Sequence, residues 1–235
     1  MQTTDAVEDY LKIIYHLVTE GGVVTTSTIA RRAGVSPPSV SAMVKRLESG
    51  DLVARHGDRG VALTASGEVQ ALRVVRRHRL LETFLAEIVG VPWDEVHDEA
   101  EVLEHGLSDR LEERIDALLG HPAHDPHGDP IPPRRGQHDE RLGDPLTAAP
   151  TGTRFRIERV SDRDPDALRY LAGIGLRPGV LVDIGERTPF GGPLWVSIDG
   201  TGHALGTQLT NLLHGAVVGA TTVLREVVRP LGTGF

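Results

Sequence analysis

Seven of the chain's 15 prolines fall between residues 120 and 150, and the spacing of apolar residues changes character across that stretch. Before it, apolar side chains recur every three or four positions, the period of a helix buried on one face. After it they alternate with polar ones, the period of a half-buried strand. A chain patterned this way is held to helices first and sheet second, which predicts an α+β fold with residues 120–150 as a linker or an extended irregular segment.

The helical part resolves into a definite order. DAVEDYLKIIYHLVT, residues 5–19, places Val7, Tyr10, Leu11, Ile14, Leu17 and Val18 on one stripe. After a Gly-Gly break, TTSTIARRAG predicts a short helix capped by Thr25 or Thr26 and ended by Gly34. SPPSVSAMVKRLESGDLV follows, with Ser36 as N-cap, Pro37 at the first helical position, and Val40, Met43, Val44 and Leu47 facing inward. Two short extended runs around HGDRG then predict a β-hairpin. Helix, helix, helix and hairpin in this order make a winged helix-turn-helix, a DNA-binding arrangement. Two further helices are expected over residues 65–89 and 93–119, and a small antiparallel β-barrel from residue 151 onward.

Charge is distributed to match. The chain carries a net −8, yet residues 1–80 hold 11 Lys or Arg against 8 Asp or Glu, leaving 14 against 25 for the remainder. The N-terminal third is therefore the part fitted to phosphate. Ser36, Pro38, Ser39 and Ser41 open the expected recognition helix, where short side chains approach bases and phosphates, and Lys45, Arg46 and Arg59 are expected on the DNA backbone. No apolar run is long enough to cross a bilayer and no signal peptide is recognisable, so a cytoplasmic location without membrane attachment is expected.

The densest chemistry lies at residues 97–105, HDEAEVLEH. On a continuous helix, at about 100° per residue, His97, Glu101, Glu104 and His105 fall within an arc of about 100°. Acids packed this closely repel, by roughly 4 kcal/mol per pair at about 4 Å and an effective dielectric near 20, and a cation relieves that repulsion. His78 and Glu82, four apart on the preceding helix, and Glu8 and Asp9 on the first helix are further candidate donors. The chain has no cysteine and, apart from Met1, a single methionine, Met43. A ligand set of carboxylates and imidazoles suits Mn²⁺, Fe²⁺ or Zn²⁺, and an oxygen-rich shell shifts the choice toward Mn²⁺.

VEDYLKIIYHL, SPPSVSAMVKRLE, RRHRLLE, VHDEAEVLEH and PHGDPIP, in this order, resemble the diphtheria toxin repressor family of iron- and manganese-dependent transcriptional repressors. The resemblance covers residues 5 to about 135, and the C-terminal third is similar to the SH3-like (FeoA-like) domain of the longer members. It implies a winged-helix domain over residues 1–64, a helical metal-binding and dimerisation domain over 65–119, a Pro-rich linker over 120–150 and the barrel over 151–235. It also implies a primary metal site of Asp9, Glu101, Glu104 and His105, and a second site of His78, Glu82 and His97, to which Asp164 of the barrel domain lies near the expected position of a further ligand. Iron-responsive members have Met and Cys at the positions of Asp9 and Glu101, so the carboxylates here point to the manganese type. Lys12 stands where short manganese regulators have a further acid, so their closely spaced metal pair is not expected.

The expected protein is a homodimeric repressor of metal-uptake genes that binds a near-palindromic double-stranded operator. Mn²⁺ is the expected cofactor, Fe²⁺ the alternative, with other divalent ions substituting in vitro. Helix one is expected to be loose until metal draws Asp9 in. Three other readings compete. A catalytic dimetal centre usually needs Glu-x-x-His, which adjacent Glu104 and His105 do not form. A winged-helix regulator of an organic effector needs a pocket, for which 4% aromatic residues offer little lining. The barrel could instead bind a proline-rich segment such as residues 120–150.

Overall fold

A computed structural model describes residues 4–55, 60–135, 138–141 and 143–221, which form two compact units. The first holds the described residues up to Phe84, together with Asp98–Ala123 and Ile131–Glu140; the second holds Leu85–His97, His124–Pro130 and the residues from Arg141 onward.

In the first unit, helix α1 (Asp5–Thr19) carries acids in its first turn, where they complement the helix dipole, and buries Val7, Tyr10, Leu11, Ile14 and Tyr15. Helix α2 (Thr26–Ala33) starts in a reciprocal cap in which Thr28 N donates to Thr25 Oγ1 at 3.1 Å and Thr25 N bonds Thr28 Oγ1 at 2.8 Å. It ends at Gly34, whose φ of 66° only glycine adopts at little cost. Helix α3 (Pro37–Ser49) has Ser36 as N-cap and Pro37 at its first position, as expected. Strands β1 (Val53–Arg55) and β2 (Val61–Leu63) pair antiparallel, with Val53 opposite Leu63 and Arg55 opposite Val61. Leu11, Ile14, Ile29, Val40, Val44 and Leu47 are almost completely removed from solvent and form one core beneath all these elements. Long helix α4 (Ala65–Phe84) joins that core through Ala71 and Val75.

Two expected helices are shorter than their polarity patterns suggested. Helix α4 stops at Phe84 and the chain passes into a π-helical turn over Leu85–Val89. The helix expected over 93–119 is three pieces: α5 (Val96–Leu103), a 3₁₀ turn (Glu104–Gly106) and α6 (Asp109–Leu118). Gly106 and extended Leu107 break the run, and Ser108 starts the next helix by accepting from Leu111 N at 3.3 Å.

The second unit is built on a six-stranded antiparallel sheet in the order β3-β8-β4-β5-β6-β7. Its strands are β3 (Asp144–Pro145), β4 (Thr153–Val160), β5 (Leu181–Arg187), β6 (Leu194–Ile198), β7 (Thr201–Leu205) and β8 (Leu213–Ala220). Helix α7 (Pro165–Gly173) connects β4 to β5, and the short α8 (Thr207–Thr210) precedes β8. Alternate residues of β4 and β6 point into a core of Phe155, Ile157, Leu168, Leu171, Ile184 and Val196, which Trp93 joins.

The Pro-rich stretch is not a free linker over its described residues. His124–Pro130 belongs to the second unit, where Asp125 Oδ1 accepts from the backbone of His127 and of Asp129, both at 2.9 Å, and His127 is fully buried. Gly128, at φ 90°, lies so close to Glu158 O that an added Cβ would sit 1.9 Å away. Ile131–Glu140 belongs to the first unit, where Arg76 donates to Pro132 O at 2.7 Å. There Glu140 takes both arms of Arg79, the Tyr15 hydroxyl at 3.0 Å and an imidazole nitrogen of His138. Backbone groups that side chains and carbonyls satisfy in this way do not need the solvent that composition alone assigns to a proline-rich segment.

Burial would push the Glu140 carboxyl up, but the bonds from His138 and Arg79 and the Arg79 charge outweigh it and hold the group well below the usual carboxylate range. A depressed folded pKa contributes stability that is fully present above the unfolded value and lost as pH falls. Glu140→Gln is therefore expected to lower the melting temperature at neutral pH, with the difference from wild type shrinking as pH falls below about 4.5. A pH series of thermal melts checks this, and a deficit that stays constant from neutral to acid pH would contradict it.

Candidate metal centre and DNA-binding face

Asp9 on α1 and Glu104 and His105 on the 3₁₀ turn bring one ligand atom each to within 4.8 Å of one another. Both residues stand on the 3₁₀ turn that follows α5, Glu104 buried and His105 half-buried, and each reaches one ligand atom toward Asp9. His105 Nδ1 bonds Glu8 Oε2 at 3.0 Å, which leaves Nε2 as the ring atom facing the site. That Nε2 lies 2.9 Å from Asp9 Oδ1 and 3.6 Å from Glu104 Oε1. Despite that short contact Asp9 Oδ1 takes no hydrogen bond, and it is a buried oxygen with no donor among the described residues. An orphaned carboxylate oxygen, an imidazole nitrogen and a second carboxylate oxygen converging on one place fit a divalent ion with hard ligands.

Glu101 is brought to a neighbouring set. Its ligand atom converges with those of Glu104 and His78 instead of with Asp9 and His105. Glu104 is fully buried and both its oxygens are engaged: Oε2 by His78 Nδ1 at 2.6 Å, Oε1 by Lys12 Nζ at 2.6 Å. The same Lys12 ammonium lies 2.6 Å from Glu101 Oε1. The acids therefore do not face each other unscreened, and the expected loosening of α1 by acid repulsion is corrected: Lys12 already ties α1 to both carboxylates.

Proton affinities follow this wiring. Burial raises the Asp9 carboxyl, and the nearby His105 and Lys12 offset it only in part. Burial would raise Glu104 as well, but the bond from His78 and the charge of Lys12 bring it below its ordinary value. For His105, burial would lower the imidazole pKa, while the bond to Glu8 and the charges of Glu104 and Asp9 carry it upward. His78 is opposed by burial and raised to about 9 by Glu82 and Glu104. A metal ligand must offer a free ring nitrogen, so binding of an ion at His105 competes with protonation of that ring.

Among the residues expected at a second site, His78 and Glu82 are buried neighbours on α4, with His78 Nε2 3.1 Å from Glu82 Oε1. His97 belongs to the second unit, where its Nδ1 lies 3.0 Å from Asp162 Oδ2. It does not share a helical face with Glu104 and His105, because α5 ends at Leu103. Asp164 has a different task from the one expected: its carboxylate accepts from Ala167 N at 3.1 Å and caps α7. The acid beside His97 is Asp162, two residues earlier, and no spacing in the sequence distinguishes the two. Glu8 was visible as a donor near Asp9, but its bond to His105 needed the structure.

The start of α3 is presented as expected. Ser36, Pro38 and Ser39 are exposed, Ser41 is half-buried with its hydroxyl donating to Pro37 O at 3.1 Å, and Lys45 and Arg46 are exposed on the outer face while Val40, Val44 and Leu47 face the core. Arg59 lies outside the described residues.

Three family models match in chain order: an iron-dependent repressor N-terminal DNA-binding domain over residues 2–61, an iron-dependent repressor metal-binding and dimerisation domain over 64–133, and a FeoA domain over 145–213. The iron-dependent repressor IdeR of Mycobacterium tuberculosis is 36% identical over 231 residues, covering 92% of this chain and 98% of its own. The diphtheria toxin repressor of Corynebacterium diphtheriae is 35% identical over 193 residues, 78% of this chain and 85% of its own. A solved manganese-dependent transcriptional repressor in complex with manganese is 43% identical with a TM-score of 0.84, covering 90% of this chain and 100% of that one. A winged helix, a carboxylate–imidazole cluster and an SH3-like C-terminal domain together define a metal-dependent, DNA-binding transcriptional repressor. The chain belongs to the iron-dependent repressor family typified by the diphtheria toxin repressor. No helix among the described residues is long and apolar enough to cross a membrane.

Glu8 Oε2 lies at hydrogen-bond distance from His105 Nδ1, the relation that an outer partner has to a metal-binding histidine, and loss of such partners typically costs about 10–100-fold in metal affinity. Glu8→Gln is expected to weaken Mn²⁺ binding by a factor in that range, read by competition with a fluorescent chelator. An unchanged affinity would remove Glu8 from the centre.

Proposed function

We propose that this repressor is activated by Mn²⁺ at a primary site of Asp9, Glu101, Glu104 and His105, and that it acts as a cytoplasmic homodimer repressing metal-uptake genes at a near-palindromic operator. The observation that carries the reading is the donor set. Every candidate ligand in the first unit is a carboxylate or an imidazole, the orphaned atom is a carboxylate oxygen, and Met43, the one methionine inside the chain, packs against the hydrophobic core. Hard, oxygen-rich shells favour Mn²⁺ over softer competitors of higher intrinsic affinity. The similarity to a manganese-dependent repressor supports the same reading. The iron-dependent relatives support Fe²⁺ as the alternative activator of the same site.

A divalent ion bound there supplies the positive charge that Asp9, Glu104 and His105 converge on. Asp9 sits on α1, and α1 packs against α2 and α4, so holding Asp9 to the turn fixes the frame on which α3 is carried. Ser36, Pro38, Ser39 and Ser41 then meet the major groove while Lys45, Arg46 and Arg59 take phosphates. Two copies related by a two-fold axis place two α3 helices on the two halves of the operator. Val102, Leu103, Leu111 and Leu118, exposed apolar residues on α5 and α6, supply surface for such pairing. Because metal and DNA favour the same arrangement of α1, each raises the affinity for the other by the same factor. Relatives that are repressors, together with adjacent Glu104 and His105, leave the dimetal-enzyme reading without support.

Asp9→Ala is expected to abolish the metal-dependent part of operator affinity, a loss of about tenfold or more, while leaving weak salt-sensitive DNA binding in place. Electrophoretic shifts in chelator, in Mn²⁺ and in anaerobic Fe²⁺ at one ionic strength check this. Binding of equal strength in chelator and in Mn²⁺ would overturn metal activation, and half-saturation at lower free Fe²⁺ than Mn²⁺ would assign the site to iron.

A further inference from the structure

Glu104 presents one oxygen to two cation positions. Its Oε1 is the oxygen that lies 3.6 Å from His105 Nε2, on the side where Asp9 Oδ1 stands without a donor. The same Oε1 accepts from Lys12 Nζ at 2.6 Å. The other oxygen is taken by His78, so Glu104 has no second face to offer. Lys12 is 6% exposed, an unusual position for a lysine, and its ammonium is held at 2.6 Å by Glu101 Oε1 as well. Asp9 and Lys12 also lie on the same helix, three residues apart and thus on one face.

A divalent ion bound through Glu104 Oε1 and an ammonium hydrogen-bonded to that same atom would stand only a few ångströms apart in a buried place, where charges interact strongly. The two cations are therefore alternatives at Glu104. We propose that Lys12 is a resident competing cation: it holds Glu101 and Glu104 together in the metal-free protein, and the activating ion must displace it, so that Lys12 sets the ion concentration at which the centre fills. This rests on the reading of Asp9, Glu104 and His105 as a metal centre and assigns its threshold to a residue that is not a ligand.

The sequence contains two lysines, Lys12 and Lys45, and Lys45 is exposed, which makes the idea directly measurable on the wild-type protein. Amine acetylation followed by mass spectrometry reads the two separately. In chelator, Lys12 is expected to be protected relative to Lys45; saturating Mn²⁺ is expected to raise its labelling several-fold while Lys45 stays constant. In parallel, Mn²⁺ affinity is measured by chelator competition for wild type, Lys12→Met and Lys12→Arg, with circular dichroism of each. Removing the charge is expected to tighten Mn²⁺ binding by about tenfold or more, and Lys12→Arg, which keeps it, is expected to stay within a few-fold of wild type. Lys12 labelling that Mn²⁺ does not change, or a folded Lys12→Met with equal or weaker affinity, overturns the proposal. If Lys12→Met does not fold, the wild-type labelling alone decides. Loss of Mn²⁺ binding in Asp9→Ala with either of these negative results leaves the metal centre standing and removes Lys12 from it; absence of Mn²⁺ binding by the wild type removes both.

Discussion

A fully buried carboxylate, Glu104, is the constraint around which the first unit is arranged. Taking one ionised carboxyl out of water costs several kcal/mol even after relaxation, and the cost is met only when both oxygens are bonded to charged or strongly donating partners. Glu104 finds them on two different helices, Lys12 on α1 and His78 on α4. His78 passes the obligation on to Glu82, and Lys12 passes part of it to Glu101. These bonds hold the 3₁₀ turn against both helices, and α1 in turn carries the Asp9 carboxylate and the packing face for α2. Breaking such an arrangement by removing one partner leaves an uncompensated buried charge, a loss of about 3–5 kcal/mol. An apolar replacement of the whole set would cost less, which is why the set reads as a functional device and not as a stabilising one.

Local rules carried the N-terminal half a long way. Thr25, Gly34, Ser36 and Pro37 each do in the structure what their chemistry dictates at helix ends, and the apolar stripes of α1 and α3 face one core. The alternation that begins after the proline-rich stretch is carried by β4, β5 and β6, and Asp164 with Pro165 opens α7 as a capping acid followed by proline should. What alternation did not give were β7 and β8, TGHAL and LHGAVVGA. Their residues are small, β8 has few buried side chains, and their place in the sheet is set by pairing with β6 and β4, a non-local fact.

The candidate centre was legible as a set of residue types and less so as a geometry. The density of acids and imidazoles in HDEAEVLEH was the right signal, but the helical face invoked for it fails at Leu103. His97 is turned to Asp162, while Glu104 and His105 each bring one ligand atom toward Asp9 from a 3₁₀ turn that breaks the helix after Leu103. Gly106 was the visible cue for that break. Lys12 was visible only as a departure from an acid; that its ammonium lies between two carboxylates depends on the docking of helices separated by about 90 positions in sequence. The proline-rich stretch failed for the opposite reason, since its composition says linker while Asp125, Arg76 and Glu140 supply side-chain bonds that no composition reports.

These features bear on how a weakly bound ion is sensed. Mn²⁺ stands at the low end of the divalent affinity series, so a site that responded to ligand type alone would fill first with its competitors. Excluding thiolate and thioether removes the soft advantage of those competitors but does not set a threshold. A buried ammonium on the shared carboxylate does, because every ion pays the same displacement before it gains its own coordination, and only ions abundant enough, or matched closely enough to the oxygen-rich shell, fill the centre. In such a design selectivity comes from the ligands and the working concentration from the lysine, and the two are adjustable by separate residues on the same helix, Asp9 and Lys12.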